Sequence, residues 1–294
     1  GDTAGKIFSI STFQSYKKEC FYFADYVKER HPECTSLKHS RKYVNEYMDH
    51  CKGAGLSAWT LALKYSSLVK LFQIPLDAED RYDLPKRRRV DIKRSRGPAE
   101  RDRHYSPLTN AELIDFCKGT GLRKSELLSV RGQNMYTRDE IERKIVQLET
   151  IPDPLKTEEQ KMQLELYKTS RIYNRDEQYF IYVKGKGGRI RLVPVLPKYA
   201  EGIAERFRDT PPDEKVWKHI NSKIDYHDIR AHYATAIYLR YCRPIDDIPY
   251  DKVTRDGKRY QSEIYSCRGD EAGKRLDKRA CKAVTEALGH SRID

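Results

Sequence analysis

A histidine and an arginine stand three residues apart in HDIRAHYATAIY, residues 227–238. If this segment is helical, His227 and Arg230 share one face. The apolar side chains fall largely on another face: Ile229, Tyr233, Ala236 and Ile237. A guanidinium offers paired, permanently charged donors to an oxyanion, and an imidazole can act as an acid or a base. The pattern predicts that the pair points away from the core.

Three further segments carry basic or imidazole side chains at turns and helix ends. They are TGLRKSELLSV (residues 120–130), VKGKGGRIRLVP (183–194) and ALGHSRI (287–293). Taken singly, each has an ordinary explanation. An arginine in a helix is usually a structural ion pair, and a histidine after a helix-ending glycine can be a simple C-terminal cap.

Spacing argues against two other kinds of site. GKGG does not fit a nucleotide-binding P-loop, because no Ser or Thr follows Lys186 and a strand comes next where a helix is required. His227 and His232 are five residues apart and so lie on different faces of a helix, and no Cys or carboxylate completes a coordination set. We therefore expect neither a metal ion nor another cofactor.

The four segments all lie C-terminal to a predicted helical unit and a basic segment. Residues 1–80 are predicted to form a small helical bundle, with three helices behind candidate N-caps: Ser11 or Thr12, Ser36 and Ser57. Apolar periodicity then disappears, and residues 86–103 carry nine Lys or Arg against three acids. We interpret 81–106 as an interdomain linker that crosses a phosphate backbone; a solvated charge run is the alternative. Its predicted DNA contacts are Lys86, Arg87, Arg88, Arg89, Lys93, Arg94 and Arg96.

Residues 107–294 are predicted to form a mixed domain, so that the fold class is α+β, mainly α. Thr109 and Glu112 suggest a capping box for a helix that ends at Gly119, and a second helix is expected near Leu122. QYFIYVK and RIRLVPV around GKGG are typical of a β-hairpin, which predicts a small antiparallel sheet. Further helices are expected at 197–207, 227–241 and 277–288, whereas 136–172 lack strand character and 243–273 are polar and turn-rich.

Composition favours a soluble nucleic-acid-binding protein. The 294 residues carry a net charge of +13, which draws polyanions, and DNA is the first partner to consider. No apolar run is long enough for a membrane span and no targeting segment is visible, so a cytoplasmic, nucleoid-associated location is expected. The seven cysteines form no CxxC pair and are predicted to be reduced.

In order and in kind, the four segments resemble the tyrosine recombinases, the phage-integrase and Xer-type enzymes that cut and rejoin DNA. The resemblance implies that Arg123 and Arg230 bind the non-bridging oxygens of the scissile phosphate. Lys186 would protonate the departing 5′ oxygen, His227 would act as an acid or a base, and His290 would donate a hydrogen bond to the phosphate. An attacked phosphodiester gathers negative charge, which suits guanidinium donors.

The resemblance also implies two orienting carboxylates and a nucleophile. Glu126 and Asp228 would orient the catalytic groups. The family's tyrosine follows the L-G-H histidine by about nine or ten residues, whereas the sequence ends at Asp294, four residues after His290. We therefore expect the nucleophile after Asp294, and a chain without it to be inactive in cleavage.

Two intervals are longer than in compact family members. Arg123 and Lys186 are 63 residues apart, and so are His227 and His290. Insertions are implied near 136–175 and 241–275. They are either surface elaborations or contacts to DNA or to a neighbouring protomer.

The resemblance implies a site-specific recombinase or integrase acting on double-stranded DNA. It would have a helical core-binding (SAM-like) domain and a catalytic domain, and it would act through a 3′-phosphotyrosyl bond in a synaptic tetramer, without metal or ATP. A non-cleaving DNA-binding fragment is the leading alternative. A type IB topoisomerase and an RNA-binding module are weaker ones, the latter because RRM and KH signatures are absent.

Overall fold

The computed structural model describes residue 7, residues 9–88 and residues 106–290, apart from the side chain of Lys186. The chain divides into two compact units, Gly1–Gly97 and Pro98–Asp294. The described residues are mainly helical and include a small antiparallel sheet, which confirms the predicted balance of α and β structure. None of the described helices is long and apolar enough to cross a membrane.

The first unit is a helical bundle. Its helices are α1 (Ile10–Arg30), α2 (Leu37–Ser40), α3 (Val44–Gly53) and α4 (Ala58–Phe72). Apolar side chains at helical spacing form its core: Phe23, Val27, Tyr47, Met48, Leu61, Tyr65 and Leu68. Lys64 is also buried, and its ammonium group donates to Glu19 at 2.7 Å and to Tyr47 at 3.0 Å, which satisfies its charge.

Local signals located two of the three predicted helix starts at the correct residue and the third only approximately. Ser57 caps α4 as predicted, because its hydroxyl accepts from the Thr60 N–H at 3.2 Å. The predicted caps Ser11 and Thr12 lie inside α1, whose N-cap is Ser9. Ser36 is the N-cap of α2 as predicted, but a 3₁₀ turn at Arg41–Tyr43 interrupts the expected helix, so α2 and α3 are separate.

The predicted basic DNA contacts are only partly described. Arg89, Lys93, Arg94 and Arg96 lie outside the described residues. Lys86, Arg87 and Arg88 are exposed, and the Arg87 guanidinium lies 5.0 Å from the centre of the Trp59 ring. Their role in DNA binding remains a prediction.

The second unit combines helices with three antiparallel sheets. Its helices are α5 (Ala111–Thr120), α6 (Lys124–Leu127), α7 (Arg138–Glu149), α8 (Glu158–Lys168), α9 (Ala200–Arg208), α10 (Tyr226–Tyr241) and α11 (Lys278–Leu288). The strands are β1 (Met135–Thr137), β2 (Tyr179–Lys184), β3 (Ile190–Pro194), β4 (Lys252–Val253), β5 (Arg259–Tyr260), β6 (Ile264–Ser266) and β7 (Arg275–Asp277). They pair as β1-β2-β3, β4-β5 and β6-β7. The predicted hairpin around GKGG is confirmed as β2 and β3.

The core of this unit lies where α10 meets α5, α11 and the larger sheet. Its largest fully buried side chains include Tyr233, Phe180, Leu122, Leu127, Ile141, Ile145 and Ile181. The Tyr233 hydroxyl donates to the Pro194 carbonyl at 2.7 Å, which ties α10 to the end of β3. This packing brings segments far apart in sequence to one end of α10.

Two local predictions for the second unit were wrong. The N-cap of α5 is Asn110, and Glu112 forms an ion pair with Arg206 at 3.1 Å instead of a capping box with Thr109. A strand, β1, precedes α7 because residue pairing with β2 supplies its hydrogen bonds. The polar region after α10 contains two hairpins, β4-β5 and β6-β7, whose short strands leave little periodic signal.

Gly121 is required where α5 ends. Its φ is +57°, and a Cβ there would lie 2.3 Å from the ring of the buried Tyr233. Gly187 has a φ of +75° but open space around it. We expect Gly121→Ala to lower the free energy of unfolding by more than about 2 kcal/mol and Gly187→Ala by only about 1 kcal/mol, since the second change adds strain without a clash. Urea denaturation measures both, and equal losses would contradict the packing argument.

Candidate functional site

The site is built around the carboxylate of Glu126, which closes the first turn of α6. Arg123 is the N-cap of this helix. Its backbone N–H donates to Glu126 Oε2 at 2.8 Å, and its guanidinium donates to Oε1 at 2.7 Å. Only 2% of Glu126 is exposed, whereas 26% of the Arg123 side chain is exposed. The carboxylate therefore holds a guanidinium that still reaches the surface.

Arg191 of β3 also binds this carboxylate. Its two terminal nitrogens donate to Glu126 at 3.0 and 2.9 Å, and Nε donates to the Ala287 carbonyl of α11 at 2.9 Å. Burial alone would raise the pKa of Glu126, but the hydrogen bonds and charge of Arg191, followed by those of Arg123, lower this pKa to about 2. Glu126 is thus ionised at every physiological pH.

Arg230 of α10 lies beside this pair. It donates to the carbonyls of Gly121 and Leu288, and its Nη1 lies 4.0 Å from Glu126 Oε2. Burial and then the charge of Arg123 lower the pKa of Arg230 to about 10, so it remains a cation at neutral pH. We call Arg123, Arg191 and Arg230, gathered around Glu126, the arginine cluster.

His290 adjoins the arginine cluster from the end of α11. Gly289, at a φ of +65°, ends the helix, and the His290 carbonyl accepts a hydrogen bond from Arg189. Partial burial of the imidazole, followed by the charges of Arg230 and Arg123, lowers the pKa of His290. The imidazole is therefore placed in the field of several cations.

Glycines allow the backbone to approach the arginine cluster closely. A Cβ on Gly185 would lie 2.9 Å from both Arg191 Nη1 and Glu126 Oε1, and one on Gly289 would lie 2.8 Å from Arg191 Cδ. Gly185 directly precedes Lys186 in the turn between β2 and β3. The backbone of that turn therefore adjoins the arginine cluster. The structure describes the backbone of Lys186 but not its side chain.

The face predicted for α10 needs one correction. Arg230 is only 7% exposed and packs on the same side as the buried Tyr233, whereas His227 is exposed one helical turn earlier. Arg230 is thus a core residue, and backbone carbonyls there accept hydrogen bonds from its guanidinium. Asp228 pairs with His232 on the same helix, at 3.3 Å, and both line a cavity of about 620 Å³.

The structure therefore brings together Arg123, Glu126, Arg230 and His290, as well as the backbone next to Lys186. Sequence reasoning missed Arg191. The available signal was an arginine inside the apolar strand sequence RIRLVPV, where four of the five residues of β3 are buried. A buried charge requires a partner, and that requirement could have directed attention to Glu126.

The arginine cluster carries a surplus of positive charge. Three guanidinium groups share one carboxylate, whereas Arg189, next to His290, has its own partner in Glu286 at 3.5 Å. Like charges in a partly buried site repel one another, and after burial, the main cause, the charge of Arg123 also lowers the pKa of Arg230. An oxyanion bound at the exposed edge of Arg123 and His290 would relieve this repulsion. Comparison with protein-family models gives no match, and comparison with curated proteins gives none either.

The field at His290 can be measured directly. We expect the His290 pKa in the folded protein to lie below 6.5 and to rise in Arg123→Met, since one nearby cation is lost. Lys124→Met removes the same charge from the exposed neighbouring residue and is expected to shift this pKa much less. NMR titration of the imidazole checks both, and equal shifts in the two variants would show that Arg123 has no special proximity.

Proposed function

We propose that this protein is a site-specific DNA recombinase of the tyrosine type. The observation that supports the proposal best is the arginine cluster, in which segments distant in the chain gather three guanidiniums around Glu126, with the partly exposed Arg123 at its edge and His290 next to it. Such donors stabilise the charge that a phosphodiester gathers when an oxygen attacks it. The net charge of +13 suits a partner that is a polyanion.

In this proposal Arg123 and Arg230 bind the non-bridging oxygens of the scissile phosphate, and Glu126 holds both cations in place. His290 donates a hydrogen bond to the same group. Lys186 protonates the departing 5′ oxygen from the β2-β3 turn, and His227 acts as an acid or a base from the first turn of α10.

The attacking tyrosine would lie beyond Asp294. Its oxygen would bond to phosphorus as the bond to the 5′ oxygen breaks, and a 5′ hydroxyl of a partner strand would later reverse the step. The phosphotyrosyl bond conserves the energy of the phosphodiester, so this chemistry calls for no nucleotide. Exchange between two duplexes would require several protomers assembled on DNA.

The test begins with selection of duplexes that the 294-residue chain retains from a random pool. A full-length gene product is then incubated with a selected duplex nicked near the proposed cleavage position, so that the released fragment diffuses away and the covalent complex accumulates. A denaturation-resistant adduct, linked through a 3′ phosphate, supports the proposal. Tight, sequence-selective binding without an adduct would reject it in favour of a DNA-binding protein that does not cleave.

A further inference from the structure

The hairpin formed by β4 and β5 lies in the segment of chain that connects α10 to α11. Its strands contain two residues each, paired as Lys252 with Tyr260 and Val253 with Arg259. In the described structure neither strand has a second partner strand. Nearly every residue from 249 to 260 is exposed, and Val253 and Tyr260 are 63% and 45% exposed. The hairpin is therefore open to a partner on both faces.

The hairpin is nevertheless held in one conformation. At its base Asp251 accepts from the Ser262 N–H at 2.8 Å, and Gln261 donates to the carbonyl of the buried Ile248. At its tip the Thr254 N–H donates to the Lys258 carbonyl at 2.8 Å. An isolated two-stranded hairpin is marginally stable in water. The hydrogen bonds at its base and tip therefore order the exposed hairpin before any partner binds.

Four cations of the hairpin lack an acidic partner. They are Lys252, Arg255, Lys258 and Arg259. Within residues 9–88 and 106–290, no carboxylate lies within ion-pair distance of any of them. Two acids, Asp251 and Asp256, are close in sequence; the Asp251 carboxylate accepts from Ser262, and its pKa is lowered by this bond and, more weakly, by the charge of Lys252. Other basic residues of this unit do have acidic partners, such as Lys161 with Glu158 and Arg171 with Glu142, and these provide a matched comparison.

We propose that the β4-β5 hairpin is a contact surface for the backbone of duplex DNA. A two-stranded ribbon fits the major groove, and unpaired Lys and Arg on both of its faces can reach phosphates on either side. The exposed Val253 and Tyr260 supply apolar contacts to bases or sugars. Basic side chains on open strand edges oppose pairing with a strand of another protein, so DNA is favoured over protein.

The inference rests on the proposed function only in taking duplex DNA as the ligand. Its test replaces Lys252, Arg255, Lys258 and Arg259 by Gln and measures the affinity of the 294-residue chain for a selected duplex across a salt series. The slope of log affinity against log salt is expected to fall by up to about three to four units, near one for each lost phosphate contact. The matched control replaces Lys161, Lys168, Arg171 and Arg208, also two Lys and two Arg, which are paired with glutamates.

Equal slopes in the hairpin variant and the control would overturn the inference, because net charge alone would then explain the effect. A benzophenone amino acid at position 253 provides a second readout, with cross-links to DNA expected and cross-links only to another protein copy counting against it. A protein that gives no covalent adduct but shows the specific loss of slope would refute the proposed cleavage and retain the hairpin contact. If the protein forms the adduct but the hairpin variant keeps the wild-type salt slope, the proposed cleavage is supported and the hairpin contact is overturned.

Discussion

Arg123→Ala is expected to lower the rate of covalent adduct formation by roughly 10²- to 10³-fold, the effect of removing one preorganised donor from a developing oxyanion. Arg123 is the member of the arginine cluster that is most exposed, so its loss should alter the fold least. Lysine at this position is not expected to restore the rate, because an ammonium lacks the planar pair of donors. Single-turnover kinetics on a nicked duplex measure the effect.

Lys124→Ala is the matched control, since it removes one cation from the next residue, which is exposed. Duplex binding should remain close to wild type in both variants, because the lost interaction strengthens only as charge develops at phosphorus. A rate within a few fold of wild type for Arg123→Ala would remove Arg123 from the proposed mechanism. Arg230→Lys extends the experiment to the buried partner, with thermal denaturation to verify folding.

Glu126→Ala is expected to be among the most destabilising single changes in the second unit. It would leave the buried Arg191 without its bidentate partner, which typically costs about 3–5 kcal/mol. Glu140 is a matched control: its side chain also accepts from the N-cap N–H of its helix, at 2.7 Å, but it is exposed and near no buried arginine. Glu140→Ala should cost about 1 kcal/mol.

Replacing both partners should be less harmful than the single changes imply. We expect the double variant Glu126→Gln, Arg191→Met to lose less stability than the two single variants lose together. Each single change leaves one buried charge without a partner, whereas the double change removes both charges. Chemical denaturation of the four proteins gives the coupling free energy. Strict additivity would mean that the two side chains do not interact in solution.

The same ion pair predicts a pH dependence. The Glu126 pKa falls from 4.5 in an ordinary carboxyl to about 2 in the folded protein. A lowered folded-state pKa contributes stability that is complete above the unfolded pKa and is lost as the pH falls toward the folded one. The stability difference between wild type and Glu126→Gln should therefore shrink by about 3 kcal/mol between pH 5 and pH 2. A constant difference across this range would contradict the assignment.

Local sequence signals determined the regular elements of this protein. Helical periodicity located α1, α4, α10 and α11, and alternation around GKGG located β2 and β3, because these patterns are set by neighbours a few residues away. The same local signals misplaced the capping box at Thr109. Arg123 and Glu126 have the same spacing as Thr109 and Glu112. There the carboxylate does accept from the N-cap N–H, although arginine is not a typical N-cap residue.

The sequence also determined which residue types could act on a phosphate, but their grouping depended on the tertiary structure. Glu126 and Asp228 were equivalent as orienting carboxylates. Only the fold places Glu126 against Arg191, 65 residues away, whereas Asp228 meets His232 one turn along its own helix. The burial of Arg230 likewise depends on carbonyls at Gly121 and Leu288, 109 and 58 residues distant. Ion pairing is a property of proximity in space, and no local pattern encodes which distant partner a buried charge will meet.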